Sequence, residues 1–138
     1  MKQSSDRNFS QNYYDVGNGH QILDYVYTYG LGFSYGNAAK YMIRAGRKDN
    51  NSAESDLNKA LNYITSSTEE FSFIKRLFMR FCNTVSFEDN LALSDKKLAA
   101  ILKSIIKFEN PDKIAKMIVK YANERGINVN QEYTHYAN

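Results

Sequence analysis

A chain of 138 residues, 43% of them hydrophobic, is long enough for one domain with its own core. The net charge of +3 is too small to make nucleic-acid binding the default function, and the single cysteine excludes an intrachain disulfide. One proline and seven glycines argue against a β-sandwich with many turns and favour helices. No apolar run approaches the length of a membrane span, so we expect a soluble, intracellular protein.

The chain begins with a polar segment. Residues 1–16 are rich in Ser, Asn and Gln, which is typical of a flexible arm. Tyr13 and Tyr14 are the exception, and we expect them to dock the arm onto the body or onto a second subunit. Glycines at positions 17 and 19 then predict a turn.

Three helices are predicted in the next part of the chain, residues 17–66. The first runs from about His20 to Tyr29. The second starts near Ser34, a good N-cap, and ends at Gly46, a good C′ residue. The third covers Ala53 to about Thr65 after a cap at residue 52, with an apolar stripe at helical spacing.

Residues 67–126 predict three more helices in the same domain. A capping box over residues 67–70 opens the fourth, and Ser94 caps the fifth. Asn110 followed by a proline opens the sixth, which ends at Gly126. The tail, residues 127–138, alternates weakly and predicts a short strand or an extended arm. The sequence therefore predicts a small all-α domain of about six helices with a short extended tail.

The second helix carries four cations and no anion in a short run. Lys40 and Arg44 are four residues apart, so they lie on one face, which Asn37, Tyr41 and Lys48 continue. Arginine offers a planar fork to phosphate oxygens and lysine a mobile point charge, while an amide and a phenol suit a sugar or a base. This pattern indicates a phosphate or nucleotide site.

A structural interpretation competes with that site. Antiparallel pairing of the second and third helices brings Asp56 and Lys59 towards Arg44 and Lys40. Asp56 and Asp24 would then neutralise the cations in a salt-bridged helical hairpin, since charge runs on helices are usually solvated faces. Spacing alone favours the hairpin and leaves both interpretations open.

Residues 17 to about 66 resemble a family of small phage-encoded proteins labelled nucleotide kinase-like or SaV-like. The resemblance lies in two runs: Gly36-Asn37-x-x-Lys40-Tyr41-x-x-Arg44-Ala45-Gly46-x-Lys48, and Asp56-Leu57-x-Lys59-Ala60-x-x-Tyr63-Ile64. Asp24 stands where the first helix of the family has an acidic residue. Gln21 and Ser55 stand where the family usually has acids.

The resemblance implies two different functions. One branch phosphorylates deoxynucleoside monophosphates with ATP and Mg²⁺ and without a P-loop. That reading places phosphate on Lys40, Arg44, Lys48 and Lys59, and Mg²⁺ on Asp24 and Asp56. The other branch is sensed by a host abortive-infection protein of the AbiV type. The missing acids favour the second branch, so the primary expectation is a phage early protein that binds a host protein in the host cytoplasm.

The second half of the chain suggests a third hypothesis. Arg76 and Arg80, with lysines of the later helices, predict a basic surface for a partner or for nucleic acid, although solvated helix faces explain them equally well. The many tyrosines and amphipathic helices favour a homodimer. The sequence contains no P-loop and no zinc-ligand spacing, and no certain cofactor is implied.

Overall fold

The computed structural model describes residues 12–17, 19–47, 52–67 and 93–138. Within these ranges the chain forms five α-helices: α1 (Ile22–Tyr29), α2 (Gly32–Arg44), α3 (Ala53–Thr65), α4 (Lys96–Ile106) and α5 (Pro111–Glu124). The prediction of a small all-α domain is therefore confirmed.

A small hairpin precedes the helices. A 3-10 turn over Asn12–Tyr14 leads into β1 (Asp15–Gly17), which pairs antiparallel with β2 (His20–Gln21). Val16 in β1 is fully buried, and Tyr14 is 7% exposed. Residues 12–16 were predicted to belong to a flexible arm. Instead they pack on the body, because their apolar side chains reach the core.

Several predicted helix ends are confirmed. The Ser52 hydroxyl accepts the Ser55 N–H at 3.0 Å and caps α3. The Asn110 side chain accepts the Asp112 N–H at 2.8 Å, with proline in the first turn of α5. Gly46 has φ 80°, a left-handed conformation that favours glycine after a helix.

Other predicted starts were wrong. The first helix starts at Ile22, because His20 and the next residue are used in β2. The second starts at Gly32, two residues before the predicted cap, and Ser34 is buried within it. Asp95 rather than Ser94 caps α4, and one of its carboxylate oxygens accepts two backbone N–H groups, each at 3.1 Å.

Helices α2 and α3 form an antiparallel hairpin at the centre of the domain. Phe33 near the start of α2 contacts Tyr63 near the end of α3, whereas Arg44 at the end of α2 contacts Asp56 at the start of α3. The predicted apolar stripe of α3 is fully buried against α2. It consists of Leu57, Ala60, Leu61 and Ile64.

Helices α4 and α5 complete the core. The Tyr35 hydroxyl of α2 donates a 2.6 Å hydrogen bond to the Glu109 carbonyl, and the Tyr35 ring lies 4.2 Å from that of Phe108. Both aromatic side chains are fully buried. This contact fixes the α4–α5 connection on the α2–α3 hairpin.

The C-terminal tail differs from the prediction of a strand or extended arm. Residues Gln131–Ala137 form a 3-10 helix, and Tyr133 is buried against the body. Tyr133 and Tyr136 are three residues apart, which places them on one side of a 3-10 turn. The alternation of Ile127 and Val129 ends before this segment, so it gave a misleading period.

The predicted fourth helix, Arg76, Arg80 and Lys48 lie outside the described residues. Across the part of the chain that the structure describes, no helix has both the length and the apolar character needed to cross a membrane.

Gly36 allows α1 and α2 to approach closely. A Cβ atom at this position would lie 2.9 Å from the Val26 Cγ1 atom of α1. We expect Gly36→Ala to destabilise the fold by about 1 kcal/mol, because crowding of about 1–3 kcal/mol outweighs the gain in helix propensity of about 1 kcal/mol. Urea unfolding of the single variant and of Gly36→Ala/Val26→Ala gives the coupling energy. A coupling of zero would contradict this steric explanation.

The start of α4 is clamped to the end of α5. The Tyr121 hydroxyl donates to Asp95 at 2.9 Å, and Arg125 contacts the same carboxylate at 3.0 Å while lying 3.6 Å over the Tyr121 ring. Burial alone would raise the pKa of Asp95, but the hydrogen bonds from Leu98 and Tyr121 and the charge of Arg125 outweigh it and lower that pKa.

This clamp predicts a loss of stability at high pH. Burial, and then the hydrogen bond to Asp95, raise the pKa of Tyr121 to about 12. The folded state therefore keeps a proton that the unfolded chain loses above about pH 10. The stabilisation is complete below pH 10 and is lost as the pH rises towards 12. We expect Tyr121→Phe to remove about 1–2 kcal/mol of the fall in unfolding free energy over that range. An unchanged slope would refute the assignment.

Candidate functional site

Arg44 and Asp56 form a buried ion pair inside the α2–α3 hairpin. Arg44 is 6% exposed and Asp56 is fully buried. The Arg44 Nη2 and Nε atoms donate to the two carboxylate oxygens of Asp56 at 2.8 and 3.3 Å, and Nη1 donates to the Tyr14 hydroxyl at 3.5 Å. The hydrogen bond to Asp56 raises the pKa of Arg44 against the opposing effect of burial. The guanidinium therefore stays charged.

This pair changes two candidate roles. Arg44 was a candidate phosphate ligand and Asp56 a candidate metal ligand. Because each side chain satisfies the other away from water, neither offers a charge to a ligand at the surface. The alternative of a salt-bridged hairpin describes Arg44 and Asp56 correctly.

Tyr41 lies beside this pair and organises the cations around it. The Arg44 Cζ, Lys40 Nζ and Lys59 Nζ atoms lie 4.6, 4.7 and 5.3 Å from the centre of the Tyr41 ring. All three distances are within the range of cation–π attraction. The ring therefore holds cations from both helices of the hairpin within a few ångströms of one another.

Tyr63 of α3 extends this surface. Its ring is nearly parallel to that of Tyr41, with an interplanar angle of 5° and centroids 5.8 Å apart. Phe33 meets Tyr63 edge-on at 5.6 Å and is 70% exposed. We call the surface formed by Lys40, Tyr41, Lys59 and Tyr63 the Tyr41 face.

The two lysines of the Tyr41 face carry charge that the hairpin does not neutralise. Lys59 is exposed and Lys40 is partly exposed. Among the residues that the structure describes, neither ammonium group forms an ion pair with a carboxylate. Two like charges held around one ring repel each other, so an anion between them would be stabilised. A phosphate group has the charge and the acceptor oxygens for this position.

The remaining candidates lie apart from this charge or have local roles. The Asn37 amide donates to the Phe33 carbonyl one turn earlier at 2.8 Å. Asp24 accepts the Gln21 N–H at 2.9 Å at the start of α1 and lies 3.6 Å from His20 Nδ1. Tyr13 packs on the Tyr14 ring at 4.6 Å. Both tyrosines therefore dock on the body, as one of the two predicted arrangements required.

The acidic residues do not fit a magnesium site. Asp56 is bound to Arg44, and Asp24 is used in capping α1. Within residues 12–17, 19–47, 52–67 and 93–138, no three His, Cys, Asp or Glu side chains come together to hold a metal ion. We therefore derive no metal-dependent step from these carboxylates.

Sequence reasoning placed Lys59 and Tyr63 on one face of α3 but assigned Tyr63 no role. The signal was their four-residue spacing, which brings the two side chains together on a helix. Phe33 was assigned to the α1–α2 connection. Its contact with Tyr63 depends on how α2 and α3 pair, which no local pattern gives.

A model of the family described as a protein of unknown function, DUF3310, matches residues 12–65. The matched stretch runs from the 3-10 turn before β1 to the last residue of α3, so it includes the buried ion pair and the Tyr41 face. Helices α4 and α5 and the C-terminal segment lie outside it. No curated protein and no solved structure matches the chain at a significant level.

Proposed function

We propose that the protein binds a nucleotide, with its phosphate between Lys40 and Lys59 on the Tyr41 face. The observation that carries this proposal is the convergence of both ammonium groups on one aromatic ring, with no carboxylate pairing either of them among the described residues. The rings of Tyr63 and Phe33 beside them offer contact area for a base.

The resemblance to nucleotide kinase-like phage proteins supports the same ligand class. The residues that carry the resemblance include Lys40, Tyr41, Lys59 and Tyr63, which make up the Tyr41 face. The proposal concerns binding. Phosphoryl transfer from ATP with Mg²⁺ is the further step that the resemblance implies, and the same samples can test it.

The test is titration calorimetry of the full chain with each nucleoside monophosphate and deoxynucleoside monophosphate at two salt concentrations. We expect saturable binding that weakens as salt rises, because phosphate is held by exposed lysines. The absence of both heat and thermal stabilisation with every nucleotide would overturn the proposal. ADP formation after addition of ATP and Mg²⁺ measures the kinase alternative, and a short DNA or RNA strand in place of the mononucleotide measures the nucleic-acid alternative.

Interaction with a host protein is a second candidate function. Tyr27 and Phe33 lie near the α1–α2 turn and are 77% and 70% exposed, the largest apolar exposures among the described residues. Exposed aromatic side chains of this kind commonly anchor protein interfaces. We propose that this edge contacts a host partner of the AbiV type in the host cytoplasm.

Co-expression with an AbiV-type protein tests the second candidate. Loss of the complex with Phe33→Ala, and its retention with Lys116→Ala, is the expected pattern. A complex that survives Phe33→Ala would place the interface elsewhere. The solution mass of the free protein and of the complex would measure the proposed homodimer.

A further inference from the structure

A polar cleft adjoins the Tyr41 face. It lies between α3 and the C-terminal segment and encloses about 450 Å³, a volume typical of small-molecule sites. Its walls include Glu54, Lys59 and Asn62 from α3, and Glu132 and Tyr133 from the C-terminal segment. Lys59 belongs to both surfaces, since its ammonium group lies near the Tyr41 ring.

The C-terminal wall of the cleft is fixed in place. The Asn58 side chain donates to the Asn128 carbonyl at 3.1 Å and accepts the Asn130 N–H at 2.7 Å. This pairing holds the backbone just before the 3-10 helix, and the buried Tyr133 ring anchors the helix itself. A wall held at two points keeps Glu132 at a defined position beside α3.

The chemistry of the cleft differs from that of the Tyr41 face. Lys59 is its only cation among the described lining residues, and Glu54 and Glu132 add two carboxylates. Carboxylates accept hydrogen bonds from hydroxyl groups but repel phosphate, so a second phosphate is disfavoured there. The side-chain amide of Asn62 adds both a donor and an acceptor. These groups suit a neutral ligand part that carries several hydroxyl groups.

We infer that the polar cleft binds the sugar of a phosphorylated ligand whose phosphate lies at Lys40 and Lys59, and that Glu132 of the C-terminal segment determines which sugar is accepted. This inference rests on the proposed function. It also assigns specificity to a residue outside the stretch that matches the DUF3310 model. The shared chemistry is a sugar phosphate, either free or as part of a nucleotide.

The test measures affinity for inorganic phosphate, ribose 5-phosphate, a ribonucleoside monophosphate and its 2′-deoxy counterpart. The full chain is compared with Glu132→Gln and with Glu124→Gln, a control on α5 outside the cleft. We expect Glu132→Gln to weaken binding of the sugar phosphates about tenfold, because a hydrogen bond to a charged acceptor is lost. Binding of inorganic phosphate should stay constant or tighten, since a negative charge nearby has been removed.

The outcomes separate this inference from the proposed function. If wild-type protein binds none of the four ligands, the proposed function fails and the inference fails with it. If phosphate ligands bind but Glu132→Gln changes sugar phosphates and inorganic phosphate in parallel, the inference alone is overturned. A loss for nucleotides with no binding of ribose 5-phosphate would identify the nucleotide as the source of the sugar, and the ratio of ribo to deoxy affinities would locate the contacted hydroxyl.

Discussion

Replacement of Asp56 by alanine is expected to lower the free energy of unfolding by about 3–5 kcal/mol. Arg44 is 6% exposed, and the two charge-assisted hydrogen bonds from its guanidinium end on Asp56. The variant leaves a buried cation whose remaining described hydrogen bond is to the Tyr14 hydroxyl. Arginine stays protonated in proteins, so the charge cannot be relieved by loss of a proton.

Urea unfolding at neutral pH measures this loss, and a double variant provides the matched control. Asp56→Leu/Arg44→Met replaces both charges with apolar groups. It should be clearly more stable than Asp56→Ala, because removing both partners avoids an unpaired buried charge. If Asp56→Ala costs less than about 1 kcal/mol, the pair is not buried in solution as the structure describes it.

The separation between structural and surface charge explains why sequence alone left two interpretations open. Lys40 and Arg44 are one helical turn apart, and their pattern gives them the same role. In the folded chain Arg44 turns towards Asp56 and the core, whereas Lys40 stays at the edge of the Tyr41 ring. Each interpretation was therefore right for one of the two cations. The distinction depends on the register of α3 against α2, which is a tertiary property.

Local signals predicted the helices well where a side chain contacts its own backbone. Ser52 and Asn110 cap α3 and α5 as expected, since such caps need only the next three residues. Ser94 and Asp95 are both acceptable caps, and the clamp by Tyr121 and Arg125 from α5 favours Asp95. A contact between positions 26 to 30 residues apart is invisible to a local pattern.

The C-terminal segment shows the same limit at the candidate site. The position of Glu132 depends on Asn58, which is more than 70 residues earlier in the chain. The sequence gave no reason to connect them, because an isolated asparagine on a helix surface is common. The conformation of the tail was mistaken for the same reason: the burial of Tyr133, rather than the alternation before it, holds the segment in place.

The double variant Lys40→Ala/Lys59→Ala is expected to lower nucleotide affinity by about 100-fold or more. Each ammonium contributes a charge-assisted hydrogen bond to phosphate worth about 1.5–3 kcal/mol, and 1.4 kcal/mol corresponds to a factor of ten. Stability should change by no more than about 0.5 kcal/mol, because exposed side chains are removed and the buried Arg44–Asp56 pair stays intact. The salt dependence of any remaining binding should also decrease.

Calorimetric titration with a nucleoside monophosphate measures the change in affinity, and Lys116→Ala serves as the control. Lys116 is an exposed lysine of α5 outside the Tyr41 face, so its removal alters the net charge without touching the proposed site. If Lys116→Ala weakens binding as much as either single variant, Lys40→Ala or Lys59→Ala, affinity reflects overall charge. Full affinity in the double variant would show that phosphate binds elsewhere. A selective loss in the double variant, with the fold unchanged, would locate the ligand at the one place where α2 and α3 bring lysines together around an aromatic ring.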